Sequence, residues 1–246
     1  MKKTNRIVRP LICLVAIVLI VGIGCTAYLS DYYHADTSVI DMYTRESNIV
    51  SHQFDKNATA YMPENPSAAF IFYPGGKVEH TAYEPLMIGC AERGILCILV
   101  EMPGNLAVLD INAADDLFHQ FPDIENWYIG GHSLGGSMAA SYAAENSDKL
   151  KGLILLAAYS TENLTSTSLD VLSVYGSEDH VLNAEKYKKY RVNLSETFSE
   201  IIIDGGCHAG FGMYGSQNGD GIPTISSDEQ ILIAAEKISE FILDNK

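Results

Sequence analysis

Residues Trp127–Gly136 read W-Y-I-G-G-H-S-L-G-G, and this stretch decides the fold. An apolar run of strand type is joined to a helical run of small residues by the pattern G-x-S-x-G, with Ser133 at its centre. This arrangement is typical of a nucleophile elbow, a strained turn in which a Cβ at either flanking glycine would collide with the backbone. The alternative is a glycine-rich turn in which Ser133 only caps the helix.

Short apolar runs lie on both sides of this stretch and alternate with helical stretches. The runs are continuous rather than alternating, which is typical of strands buried on both faces. The pattern predicts one α/β domain with a mostly parallel, twisted sheet and helices on both faces. The predicted strands are Ala69–Tyr73, Ile95–Val100, Trp127–Gly130, Gly152–Ala157, Val171–Tyr175 and Glu200–Ile203, and the predicted helices cover about 81–93, 107–120, 134–146, 184–191 and the stretch after Ser227.

A serine hydroxyl becomes a good nucleophile when a histidine takes its proton and a carboxylate orients that histidine. The run Val171–Tyr175 is followed by G-S-E-D-H, which places Asp179 in a loop, with Glu178 as the neighbouring alternative. The next strand is followed by D-G-G-C-H, which places His208 in a loop at the same sheet edge. We therefore predict Asp179 as the acid and His208 as the base.

An acyl-transfer site also needs two backbone N–H groups to bind the oxyanion of the tetrahedral intermediate. One comes from the residue after the nucleophile, here Leu134. The other comes from a loop after an earlier strand, and Pro74–Lys77 (P-G-G-K) follows such a strand. Gly76 is the first choice for this donor, and Lys77 is the alternative.

Four further side chains need an interpretation. We expect His132, next to the serine, to point away from the site. Cys207 precedes the predicted base and allows a redox switch or a second nucleophile, but a small packed residue is the better interpretation. A disulfide between Cys90 and Cys97 stays open. No Cys-x-x-Cys pair is present, and we predict neither a metal nor a cofactor.

Four motifs together resemble the alpha/beta-hydrolase family, in particular its small, lidless bacterial group related to dienelactone hydrolases. They are Y-P-G-G-K (73–77), G-G-H-S-L-G-G (130–136), Y-G-S-E-D (175–179) and G-G-C-H-A-G-F-G-M-Y-G-S-Q-N-G-D-G (205–221). The resemblance covers about residues 58–244 and implies a carboxylic-ester hydrolase fold with Ser133, Asp179 and His208 as the triad. Dienelactone hydrolases proper use a cysteine nucleophile where this chain has Ser133.

Lid domains in this fold usually follow the sixth strand, where this chain has only Tyr159–Asp170, a mostly polar stretch. A stretch of this length cannot fold into a helical cap, so we expect an open site and short or medium acyl esters. The stretch Phe211–Gly221 after the histidine is expected to shape the loop that carries His208, and the sequence assigns its side chains no catalytic role.

The N-terminus predicts export or membrane attachment. Residues 11–30 are uncharged and mostly aliphatic, and about 20 such residues in a helix span roughly 30 Å, the thickness of a bilayer core. Four basic residues precede this stretch and acidic residues follow it, which places the body outside the cytoplasm. Residues 1–30 are therefore a membrane anchor or signal segment, with lipid attachment at Cys25 as a further alternative. We expect a connector over 31–57 and the hydrolase domain over 58–246.

The charge excludes one class of partner. The chain has 16 Lys and Arg against 31 Asp and Glu, a formal net charge of −15, which repels phosphate backbones and argues against nucleic-acid binding. The residues predict an esterase that acts on a small-molecule ester. The same triad also serves peptidases and acyltransferases, and a tethered binding module without turnover is the non-enzymatic alternative.

Overall fold

The computed structural model describes residues 5–55 and 57–244 and divides the chain into two compact units at Tyr32/Tyr33. The first unit contains helix α1 (Asn5–Ser30). Its segment Cys13–Ser30 has a mean hydropathy of 2.4 and is long and apolar enough to cross a membrane. A membrane anchor and a signal sequence both fit such a helix. Lys2 and Lys3, which belong to the predicted cytoplasmic end, lie outside the described residues.

The second unit is built on one eight-stranded sheet with the order β1-β2-β4-β3-β5-β6-β7-β8. The strands are β1 (Val50–Asp55), β2 (Ala58–Met62), β3 (Ala68–Tyr73), β4 (Leu96–Val100), β5 (Asn126–His132), β6 (Gly152–Leu156), β7 (Asp170–Gly176) and β8 (Phe198–Ile203). The helices are α2 (Thr37–Glu46), α3 (Glu84–Ala91), α4 (Leu134–Glu145), α5 (Ala184–Tyr190) and α6 (Ser227–Asp244).

Six neighbouring strands are parallel to one another, in the sheet order β4, β3, β5, β6, β7 and β8. Strand β2 pairs antiparallel with β4, and β1 pairs antiparallel with β2. The predicted mostly parallel α/β architecture is confirmed. Strand β3 is buried along its whole length because helices cover both faces of the sheet. Phe70 and Phe72 pack in the same core as residues of α3 and α6, while Ile71 and Tyr73 pack with residues of α4.

The predicted connector over 31–57 is folded. It contains helix α2, whose Ile40 is buried in the core, and strand β1, which pairs with β2. Strand β1 was not predicted because it lies at the sheet edge, where the side chains Val50–Gln53 are all exposed and form no apolar run. Strand β2 was not predicted either, although it lies inside the predicted domain.

The helix predicted over about 107–120 is wrong. This stretch consists of turns and two short 3-10 segments, Ala107–Leu109 and Phe118–Gln120. The hydroxyl of Tyr73 donates to the carbonyl of Ile111 at 2.8 Å and accepts from the N–H of Ala114 at 3.0 Å. A buried side chain thus takes the place of backbone hydrogen bonds that a continuous α-helix would make.

A four-residue strap, Tyr33–Asp36, begins the second unit and joins two loops of the fold. The N–H of Tyr33 donates to the carbonyl of Lys77 at 2.8 Å, and its carbonyl accepts from the N–H of Glu79 at 2.9 Å. The N–H of Asp36 donates to the carbonyl of Met213 at 2.8 Å. The strap therefore connects the loop after β3 to the segment that follows His208.

Removing the strap should weaken the domain. A chain that starts at residue 37 lacks the strap, which a chain that starts at residue 31 retains. The loss includes Asp36, whose side chain caps α2 by accepting hydrogen bonds from the N–H groups of Ser38 and Val39. At about 1 kcal/mol per hydrogen bond the loss is about 2–5 kcal/mol, which corresponds to a thermal midpoint lower by about 4–20 °C for a domain of this size. Differential scanning fluorimetry of residues 31–246 and 37–246 measures this difference. Equal midpoints would show that the strap contributes nothing.

Candidate active site

Ser133 lies in a strained turn between β5 and α4. Its φ of 53° and ψ of −119° fall in a region that residues with a side chain rarely adopt. The two glycines of G-x-S-x-G permit this turn, since a Cβ on Gly131 would overlap the carbonyl oxygen of Tyr73, and one on Gly135 would overlap those of Tyr73 and Pro74. The turn has the geometry that the sequence predicts for a nucleophile elbow.

Asp179 and His208 form a buried pair. Asp179 Oδ2 lies 2.9 Å from His208 Nδ1, and both side chains are at most 2% exposed. The other oxygen, Asp179 Oδ1, accepts the backbone N–H groups of Val181 at 2.9 Å and Leu182 at 2.8 Å. The alternative acid, Glu178, instead accepts a hydrogen bond from the neighbouring Ser177 Oγ. The structure thus places the first-choice acid, not the alternative, beside His208.

Ser133 and His208 line one cavity of about 250 Å³. His208 Nε2 is buried and makes no hydrogen bond in the described part of the chain, to Ser133 or to any other residue. Catalytic hydrogen bonds are often long without substrate and shorten in the substrate complex. The cavity is lined further by Leu134, Ser137, Ala157, Ala158, Tyr159, Val181, Leu182 and Asn183.

The two predicted oxyanion donors are neighbours. Leu134 opens α4, so its N–H precedes the first hydrogen bond within that helix. A Cβ on Gly76 would lie 2.8 Å from Leu134 Cδ2, and the N–H of Gly76 has no acceptor among the described residues. The N–H of Lys77 already donates to the carbonyl of Asn105 at 2.8 Å. Of the two alternatives for the second donor, the structure therefore disfavours Lys77.

The sequence predicts that His132 points away from the site. In the structure it instead packs against His208, the predicted base. Its ring lies 4.5 Å from the ring of His208, and its Nδ1 lies 2.8 Å from the hydroxyl of Tyr83. That hydroxyl also accepts the N–H of Gly75 at 3.1 Å. Burial, and next the charge of His208, lower the pKa of His132 well below its usual value. His132 is therefore neutral, and it adds no positive charge beside the base.

Gln230 on α6 supports the loop of the base, a role that the sequence analysis missed. Its Oε1 accepts the N–H of Cys207 at 2.9 Å, and its Nε2 donates to the carbonyl of Cys207 at 2.8 Å. The residue is buried. No local pattern marks it, because the two residues meet only when α6 packs against the loop.

The cysteines of the second unit are free, buried thiols. Cys90 and Cys97 form no disulfide in this structure. Burial, followed by the charge of Asp220, raises the pKa of Cys207 to about 11. This favours the interpretation of Cys207 as a packed residue over a reactive one. Among residues 5–55 and 57–244, no cluster of three His, Cys, Asp or Glu side chains is arranged to hold a metal ion.

Comparison with protein-family models identifies one family. The model of the "Alpha/beta hydrolase family" matches residues 69–232, two thirds of the chain. No curated protein matches the sequence significantly. The subgroup related to dienelactone hydrolases is not tested by these comparisons and stays a prediction.

Similar solved structures support the fold. A predicted CIB-like hydrolase from Thermoplasma acidophilum has a TM-score of 0.57 and 17% identity, over 78% of this chain and 98% of that one. Est1E from Butyrivibrio proteoclasticus has a TM-score of 0.55 and 17% identity, over 81% and 99%. TT1662 from Thermus thermophilus has a TM-score of 0.59 and 15% identity, over 80% and 98%. At these identities the likeness concerns the fold alone.

Cys207 should resist alkylation in the native protein. Iodoacetamide reacts with the thiolate, and a pKa of about 11 leaves roughly one thiolate in a few thousand at pH 7.5. Peptide mapping by mass spectrometry after treatment of native protein should show an unmodified Cys207, and the same treatment in guanidinium should modify it. Rapid modification of the native thiol would restore the redox or nucleophile interpretation.

Proposed function

The chain belongs to the alpha/beta hydrolase family, and from this we propose that it is a serine hydrolase that cleaves carboxylic esters. The observation that carries the proposal is the buried Asp179–His208 hydrogen bond at the edge of the cavity that Ser133 also lines. A packed or capping serine would need neither the strained turn nor a buried acid–base pair beside it.

The proposed reaction proceeds through an acyl-enzyme. The Ser133 Oγ attacks the ester carbonyl while its proton passes to His208 Nε2, and Asp179 stabilises the imidazolium. The N–H groups of Gly76 and Leu134 bind the oxyanion, and the N-terminus of α4 adds a favourable dipole. The C–O bond to the alcohol then breaks, and His208 returns its proton to that alcohol. Water repeats these steps on the acyl-enzyme and releases the carboxylic acid.

The cavity supports small substrates. Its volume of about 250 Å³ is below the roughly 300–1,000 Å³ of typical small-molecule sites. Between β6 and β7 the described residues 157–169 form neither helix nor strand, so no cap is built over the site at this point. Apolar side chains such as Leu134, Val181 and Leu182 suit a short hydrocarbon chain. Short or medium acyl esters are the proposed substrate class.

We further propose that the enzyme acts outside the cytoplasm. Helix α1 fits a membrane anchor or a signal sequence. Basic residues precede residues 11–30 and acidic residues follow them, and this distribution favours export of the hydrolase domain. The acidic body favours neither nucleic acid nor anionic surfaces. Retention, cleavage or lipid attachment at Cys25 would each leave the hydrolase domain on the outer side.

Hydrolysis of p-nitrophenyl acetate, butyrate and octanoate by the full chain in detergent tests the function. We expect turnover that is faster with acetate and butyrate than with octanoate, because the cavity is small. Ser133→Ala should lower kcat by roughly 10⁶, to the background rate. A fluorophosphonate should label the wild type and leave the variant unlabelled.

The alternatives give different results in the same assay. Labelling of Ser133 without ester turnover would favour a peptidase or an acyltransferase over an esterase. Neither turnover nor labelling would overturn the hydrolase and favour a binding module.

The close approach of Gly76 to Leu134 predicts unequal effects of alanine substitutions at residues 76 and 77. In Gly76→Ala the new Cβ would press on Leu134 and displace both donors, so we expect kcat to fall by about 10² to 10³. Lys77→Ala keeps its backbone N–H on Asn105 and should stay within about threefold of the wild type. Steady-state kinetics with p-nitrophenyl butyrate compares the two variants. Equal losses would show that the contact of residue 76 with Leu134 does not control the oxyanion donors.

A further inference from the structure

Asp220 binds two loops of the site through backbone hydrogen bonds. Its Oδ1 accepts the N–H groups of His208 at 3.1 Å and His180 at 3.3 Å, and its Oδ2 accepts that of Ala209 at 2.8 Å. The N–H of its neighbour Gly221 adds a fourth bond at 2.8 Å. His180 follows the acid Asp179 in the chain, so one carboxylate holds the backbones of both the acid and the base.

The carboxylate of Asp220 is ionised. Burial alone would raise its pKa, but the backbone N–H donors, led by those of Ala209 and His208, lower the pKa overall. Among the described residues no Lys or Arg side chain forms an ion pair with it. Its charge is therefore balanced by peptide N–H groups, which bind an anion more strongly than a neutral oxygen.

The hydrogen bond between Asp179 and His208 depends on the relative position of two loops. The acid loop (Ser177–Asn183) follows β7, and the base loop (Asp204–Phe211) follows β8. Gln230 fixes the base loop at Cys207, and Asp179 fixes its own loop at Val181 and Leu182. The two loops also contact each other directly, since the N–H of Glu178 donates to the carbonyl of Gly206 and the N–H of Gly205 donates to Ser177 Oγ, both at 2.8 Å. Asp220 lies outside both loops and accepts hydrogen bonds from each, through His180 next to the acid and through His208 itself.

We propose that Asp220 is a positioning residue of the active site, whose carboxylate joins the acid loop to the base loop and holds His208 in register with Asp179. This inference rests on the proposed function. It gives a specific role to one side chain of Phe211–Gly221, the stretch that the sequence predicts to shape the loop of His208. The residue acts through the backbone of His208 and touches no substrate.

The test compares Asp220→Asn with Asp204→Asn in the full chain. Both changes remove one carboxylate, but Asp204, the first residue of the base loop, is exposed in the turn after β8 and makes no hydrogen bond of this kind. In Asp220→Asn the new side-chain amide would turn an NH₂ group toward backbone donors. We expect kcat for p-nitrophenyl butyrate to fall by about 10- to 100-fold in this variant, with KM within about threefold of the wild type. The rate of fluorophosphonate labelling should fall in parallel.

The kcat of the control variant and the circular dichroism of both variants decide whether Asp220 positions His208 or has a general structural role. Asp204→Asn should keep kcat within about twofold of the wild type, and circular dichroism should show both variants folded. The proposal is wrong if Asp220→Asn matches Asp204→Asn in kcat, changes KM alone, or unfolds the domain. An inactive and unlabelled wild type would instead overturn the proposed function, which separates the two failures.

Discussion

The candidate site depends on the parallel register of β3, β5, β6, β7 and β8. Parallel strands direct their carboxyl ends to one edge, so the loops that carry Gly76, Ser133, Asp179 and His208 meet there. The ends of the strands are aligned, since His132 pairs with Leu156 and Gly176 pairs with Ile203. A shift of one residue in either pairing would turn every side chain of that strand to the opposite face and separate the groups.

The inner strands were predictable because helices bury them on both faces, which leaves a continuous apolar run in the sequence. The edge strand β1 has polar, exposed side chains, and its conformation follows from pairing with β2 rather than from any pattern of its own. The sequence over 107–120 also gave no sign that this stretch forms no α-helix. Its backbone bonds instead to the hydroxyl of Tyr73, which lies in β3, distant in the sequence.

The candidate site also combines residues that the sequence predicted with residues that only the tertiary structure identifies. The elbow and the loops of Asp179 and His208 were found because each follows a predictable strand. Whether Gly76 or Lys77 offers a free N–H depends on the carbonyl of Asn105, which only the fold brings near. The supporting groups Tyr83, Asp220 and Gln230 bind backbone N–H groups 8, 12 and 23 residues away in the sequence, across turns and loops that no local pattern specifies. Local sequence identifies reactive groups here, and tertiary structure identifies what holds them.

The positive φ of Ser133 links activity to stability. A residue with a side chain in such a region costs of order 1–3 kcal/mol, whereas glycine adopts it freely. The domain thus carries a serine at a position where glycine would make the folded state more stable, while total stability is only about 5–15 kcal/mol for natural proteins. Selection for stability alone would favour glycine at this position, and the proposed role of Ser133 as the nucleophile accounts for the serine.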